Sequence, residues 1–177
     1  MKKAFSLGEM LITLFVIGMI SALTIPIVTQ SIISSYKPVF KSAFQSVEQV
    51  VNELINDISV YPSGEFSNNT FCENFFSKTN TIGEIYCSNT FDSVIPTEPN
   101  ASTTNGMKWY NMDNDFEEDQ CPTGTTGECV KISVDINGSN GRNSTTGTDK
   151  DVFDIYIFKT GKITVEPGSV EAGYLLD

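Results

Sequence analysis

Oxygen-bearing side chains are the first candidates for chemistry in this sequence. Asp135, Asn137, Asp149 and Asp151 fall in and around a stretch of Asn, Gly, Ser and Thr, and a hard cation such as calcium takes roughly six to eight oxygen ligands of this kind. The spacing is not that of an EF-hand, because the sixth loop position lacks glycine and no Glu closes the loop. Asn, Asp and Gly also make ordinary turns, so a calcium loop and a solvated hairpin loop both fit. Sulfur is the second candidate. Cys72, Cys87, Cys121 and Cys129 lack the paired short knuckles that zinc prefers. Three disulfide pairings exist, and the favoured one joins Cys72 to Cys87 and Cys121 to Cys129, since each bond then closes a local loop. Histidine is absent, which excludes Ser-His-Asp and Cys-His catalysis, His-ligated zinc and haem, and a histidine pH switch. No nucleophile is paired by pattern with a base, so no enzymatic role is assigned.

The elements that would carry these residues are read from the distribution of charge and apolarity. The chain has 177 residues, with 11 Lys and Arg against 22 Asp and Glu, a formal charge of −11. That length suits one ordinary domain. The acidic balance argues against nucleic-acid binding through a general basic patch. Residues 10–36 contain no charged side chain, a run longer than the roughly 20 residues that an α-helix needs to cross a bilayer. Lys2 and Lys3 precede it, and the positive-inside rule then keeps the N-terminus cytoplasmic and sends the remainder across. Beyond residue 30 the chain keeps 9 basic and 21 acidic residues, a balance of −12, and the cysteines there suit an oxidising compartment. A secretory signal peptide shares the charged start and apolar core. Two features oppose that alternative: Glu9 lies near the start of the apolar run, and the run continues into an amphipathic helix. A charge at the centre of a membrane helix costs roughly 2.5–3.5 kcal/mol on insertion scales, so Glu9 either snorkels to the headgroups or finds a partner.

The residues Lys2-Lys3-Ala4-Phe5-Ser6-Leu7-Gly8-Glu9-Met10-Leu11-Ile12-Thr13-Leu14, followed by Ile17-Gly18 and Ala22-Leu23-Thr24-Ile25-Pro26, closely resemble the class III leader and N-terminal helix of type IV pilins and type II secretion pseudopilins. The resemblance covers residues 1–30. It implies that a prepilin peptidase cuts between Ala4 and Phe5 and that the new amine is methylated. The family usually carries Gly before the cut, where this chain has Ala4. Glu9 falls fifth after the cut and Pro26 twenty-second, the family's positions for its Glu and Pro. The resemblance further implies that Glu9 pairs with the Phe5 amine of a neighbouring subunit. Val134-Asp135-Ile136-Asn137-Gly138 and the Asp-rich stretch before Val152 look like the sheet loop of major pseudopilins, some of which bind calcium.

Beyond Pro26 the pattern becomes periodic. Ile32, Ile33, Tyr36, Phe40, Phe44, Val47, Val50, Val51, Leu54, Ile55 and Ile58 recur at spacings of three and four, with Lys41, Glu48, Glu53 and Asp57 between them. That is an amphipathic helix to about Ser59 laying one stripe on a sheet, stopped by Tyr61-Pro62-Ser63-Gly64. Pro26 and Pro38 are expected to kink it. Residues 65–105 read as an irregular connection, followed by strands over residues 107–112, 130–135, 152–159 and 162–165. Thr160-Gly161 turns the last two into a hairpin. The acidic run Asp113, Asp115, Glu117, Glu118 and Asp119 reads as a solvated loop, and Trp109 with Tyr110 as sheet core rather than a sugar platform.

The expected fold is α+β and pilin-like, a long N-terminal helix packed on a small antiparallel sheet. Its parts are a leader at 1–4, a transmembrane and assembly helix at 5–30, an amphipathic helix at 31–60, a variable loop region at 61–105 and an antiparallel sheet domain at 106–177. Many type IV pilins staple their C-terminal region with a disulfide, and the lack of any cysteine after Cys129 turns the resemblance toward pseudopilins. The function it implies is a structural subunit of a type IV pilus or type II secretion pseudopilus. Such a subunit is held in the bacterial inner membrane by one span, then self-associates with other pilins or pseudopilins into a periplasmic or extracellular helical filament. The competing reading is a minor tip pilin that serves as an adhesion or substrate-binding module.

Overall fold

A computed structural model describes residues 7–87, 99–112, 114–138, 143–145 and 150–176, without the side chains of residues 23–35. The chain divides into two compact units, Met1–Tyr36 and Lys37–Asp177. One helix, α1 (Leu7–Ile55), belongs to both. It is followed by α2 (Phe71–Ser77), β1 (Thr81–Ile82), β2 (Ala101–Thr103), β3 (Lys108–Tyr110), β4 (Cys129–Asp135), β5 (Val152–Phe158), β6 (Ile163–Thr164) and α3 (Val170–Leu175). The molecule is therefore α+β, with an N-terminal helix and a small antiparallel sheet.

In the first unit, Glu9 occupies the first turn of α1, where a carboxylate complements the helix dipole. Large apolar side chains follow, and Leu7, Leu11, Leu14 and Phe15 are all exposed. Among the described residues no helix is long and apolar enough to cross a membrane. The side chains described in this part of α1 are those of residues 7–22, fewer than the roughly 20 that a span needs.

In the second unit, α1 buries a single stripe consisting of Phe40, Ala43, Phe44, Val47, Val50, Val51 and Leu54, the three-and-four spacing of an amphipathic helix. The sheet is a six-stranded meander in the order β1-β2-β3-β4-β5-β6, with every neighbouring pair antiparallel. β4 and β5 form its long centre. Val130, Ile132 and Val134 lie opposite Ile157, Ile155 and Phe153, and all six are fully buried. The Phe153 ring meets that of Phe40 at 4.8 Å, so this is the face that α1 covers. The opposite face carries a smaller core of Cys129, Tyr156 and Phe158, against which Cys121 packs.

Several sequence expectations need correction. α1 ends at Ile55 rather than near Ser59. Asp57 takes over the backbone there, its Oδ1 accepting from the Ser59 N–H at 3.1 Å, a local bond that competes with helix. The connection expected to be irregular contains α2, β1 and β2. The strand expected over residues 107–112 stops at Tyr110 because Asn111 turns left-handed, at φ 62°. The helix α3 was not expected at all. Ser169 caps it, accepting from the Ala172 N–H at 3.2 Å.

The connection is held by aromatic packing and a disulfide. Phe66 lies 4.7 Å from Phe71 and 4.9 Å from Tyr61. Phe116, inside the acidic run, packs at 5.0 Å against Phe71, while Glu117, Glu118 and Asp119 stay exposed. The Cys72–Cys87 disulfide ties α2 to the chain beyond β1, with Cα atoms 5.8 Å apart. Cys121–Cys129 ties the segment before β4 to its first residue, at 5.5 Å.

Candidate functional site

The β4–β5 hairpin brings Asp135 and Asp151 to one end of the sheet. Asp135 closes β4 opposite Val152 of β5, and the ladder gains one further bond, from the Ile136 N–H to the Asp151 carbonyl at 3.0 Å. The chain then turns on Asp135 itself, whose Oδ1 accepts from the backbone N–H groups of Asn137 at 3.1 Å and Gly138 at 2.8 Å. Gly138 has φ 63°, and a Cβ there would lie 2.1 Å from the Gly106 carbonyl oxygen in the β2–β3 turn. Only glycine allows both the left-handed backbone and that approach.

Asn137 links the two carboxylates, its Nδ2 donating to Asp151 Oδ2 at 2.5 Å. Asp151 Oδ1 accepts from the Ser144 N–H at 2.6 Å. Both aspartates are buried, Asp135 completely and Asp151 to within 2%. Two oxygens of the cluster, Asp135 Oδ2 and Asn137 Oδ1, are buried without a hydrogen-bond partner among the described residues. Burial pushes the Asp135 carboxyl above the usual carboxylate range. The Gly138 and Asn137 N–H groups oppose that rise, the negative charge of Asp151 adds to it, and Lys108 opposes it weakly. Tyr110 stands nearby, its hydroxyl hydrogen-bonded to Asn143 and its pKa raised chiefly by burial and then by the Asp135 charge.

Two buried carboxylates and two orphaned oxygens fit a hard cation in kind, since unpaired buried charge is costly and oxygen-only donors suit calcium or magnesium rather than zinc. Asp135, Asn137 and Asp151 would hold it. Asp149 lies outside the described residues. Among the described residues there is no group of three or more acidic or cysteine side chains arranged to hold a metal. The site is thus built from two carboxylates and an amide.

Next to it lies a pair that the sequence does not announce. Lys150 forms a salt bridge with Glu171 of α3. Glu171 Oε1 also accepts from the Asp154 N–H at 3.4 Å, on the part of the β5 edge that the two-residue β6 leaves unpaired. Glu171 is 2% exposed, so α3 covers a sheet edge with a buried, neutralised carboxylate. The lysine and the glutamate stand far apart in sequence and each reads there as a solvated charge. Asn114 is similar: its Oδ1 accepts from the Cys72 N–H at 2.8 Å and so caps α2 from 42 residues away.

Of the remaining expected site residues, Glu9 is exposed in the first turn of α1, while Ala4 and Phe5 lie outside the described residues. The chain matches no protein-family model, no curated protein and no solved structure.

Proposed function

We propose that this chain is a structural subunit of a type IV pilus or type II secretion pseudopilus, with the first part of α1 as its anchor and assembly element. The observation that carries this reading is the exposed and, apart from Glu9, Thr13 and Ser21, apolar surface of residues 7–22, where Leu7 is 83% and Phe15 67% exposed. A contiguous apolar surface of this kind calls for lipid or for other helices. Residues 10–36 carry no charge, so the same surface suits a single inner-membrane span before assembly and a helix bundle afterwards. The leader-like residues around Ala4 and Phe5 select this family among anchored proteins. On this reading Glu9 pairs with the Phe5 amine of a neighbouring subunit, Pro26 lies within the assembly helix, and calcium held by Asp135, Asn137, Asp149 and Asp151 would fix the end of the β4–β5 hairpin.

N-terminal sequencing of the membrane-extracted protein tests the reading. The mature chain is expected to begin at Phe5 with a methylated amine. A mature terminus near Ala22 would mark an ordinary signal peptide and remove the filament role.

A further inference from the structure

A second concave surface lies away from the β4–β5 loop. The second half of α1, the segment from α2 to β1 and the β2–β3 hairpin line a cavity of about 210 Å³. Gln49, Asn80 and Thr104 line it from these three elements, and among the described residues their side chains make no hydrogen bond. Glu53 and Lys78, also in the lining, form a 2.7 Å ion pair that occupies one carboxylate oxygen of Glu53. Val50, Met107 and Trp109 supply the apolar part and are buried core residues. Trp109 is anchored by donation from its Nε1 to Thr103 Oγ1 at 3.4 Å.

We propose that this cavity binds one neutral pyranose residue of a glycan. The charges in the lining cancel, so neither a phosphate nor a cation finds a free counter-charge there. An apolar ligand would strip water from the Gln49, Asn80 and Thr104 side chains without replacing their hydrogen bonds, which is costly. A sugar ring does replace them, because each amide offers a donor and an acceptor to neighbouring hydroxyls. The C–H groups of the ring then meet the small apolar area that Val50, Met107 and Trp109, each at most 6% exposed, leave in the lining, the usual division of labour in small-molecule sites. The volume falls below the roughly 300 Å³ at which drug-sized sites begin, which suits one ring rather than a long oligosaccharide or a peptide. Trp109 is therefore a core residue that also lines the site, not an open stacking platform.

The chain's single tryptophan makes the test direct. The full chain, in a zwitterionic detergent without a sugar headgroup, is titrated with glucose, galactose, N-acetylglucosamine or N-acetylgalactosamine to about 50 mM, since a few hydrogen bonds to a small ring correspond to millimolar affinity. Trp109 fluorescence and saturation-transfer NMR of the sugar protons are read together. At least one sugar should give a saturable signal, and Gln49→Ala and Asn80→Ala, both at exposed positions, should each weaken it at least about tenfold. Glu118→Gln, at an exposed position in the acidic loop, should leave it unchanged, and glycerol should give no saturable signal. Absence of binding by both readouts for all four sugars would overturn the proposal. Binding that glycerol reproduces, or that survives both alanine substitutions, would overturn it equally.

Discussion

Two stretches of α1 are both rich in large apolar side chains and differ in what becomes of them. Over residues 40–54 the apolar positions fall on one stripe and are buried, with Phe40, Val47 and Val51 at 0% exposure. Over residues 7–22 they fall on every side and stay exposed, from Val16 at 46% to Leu7 at 83%. A stripe has its partner within the same chain, here the face of β5 that presents Phe153. Apolar positions on every side of a helix cannot all be covered by one sheet face, which reaches only one side of it. The difference between periodic and uniform apolarity thus separates the part of the helix that folds the domain from the part whose large apolar side chains stay exposed among the described residues.

The largest effect that would break this contrast comes from its two phenylalanines. Phe40→Ala should cost roughly 3–5 kcal/mol, the range for a large aromatic removed from a packed core. Phe15→Ala should leave domain stability within about 0.5 kcal/mol, as for a surface change. Denaturant unfolding of the full chain in detergent, followed by Trp109 fluorescence, measures both, and equal losses would erase the distinction. The connection between α1 and the sheet comes next. Replacing Cys72 and Cys87 together by Ser should cost about 3 kcal/mol, the chain-entropy value for a loop of about 15 residues, read in the same unfolding experiment.

A somewhat smaller effect is expected at the β4–β5 loop. Calcium at one hundred times its dissociation constant should stabilise the domain by about 2.7 kcal/mol, and magnesium by less because it needs tight octahedral geometry. Sodium at matched ionic strength should reproduce only the screening of the −12 charge beyond residue 30. Melting curves with each cation, repeated for Asp135→Asn, decide the matter: an equal rise with every cation, or no loss in the variant, would leave a buried, hydrogen-bonded turn that binds no cation. An effect of comparable size is expected at the turn that supports it. Gly138→Ala should destabilise the domain by roughly 1–3 kcal/mol, since φ is positive and the Gly106 carbonyl stands in the way.

What the sequence discloses follows the same contrast. Phe40, Val47, Val51 and Leu54 could be read because burial on one side imposes a period, and β4 and β5 because each is long enough to alternate. β1, β2 and β6 span two or three residues each, too few for any period. α2 is seven residues long and draws its cap from Asn114, a bond between positions distant in sequence. At the candidate site the oxygen donors were visible as residue types. The Ser144 N–H that holds Asp151, and the Lys150–Glu171 pair beside it, were not, because the first depends on the path of the chain before β5 and the second on how α3 meets the hairpin.

Glu9→Ala tests the central claim most directly, because it changes one group in the exposed stretch and leaves the domain core untouched. Membrane fractionation and filament recovery are compared with the unsubstituted chain. Removing a charge eases insertion, so membrane retention should stay constant or rise, while incorporation into filaments should collapse with the loss of the partner of the Phe5 amine. Normal filament incorporation by the variant would contradict the account and leave Glu9 as a carboxylate that merely reaches the headgroups.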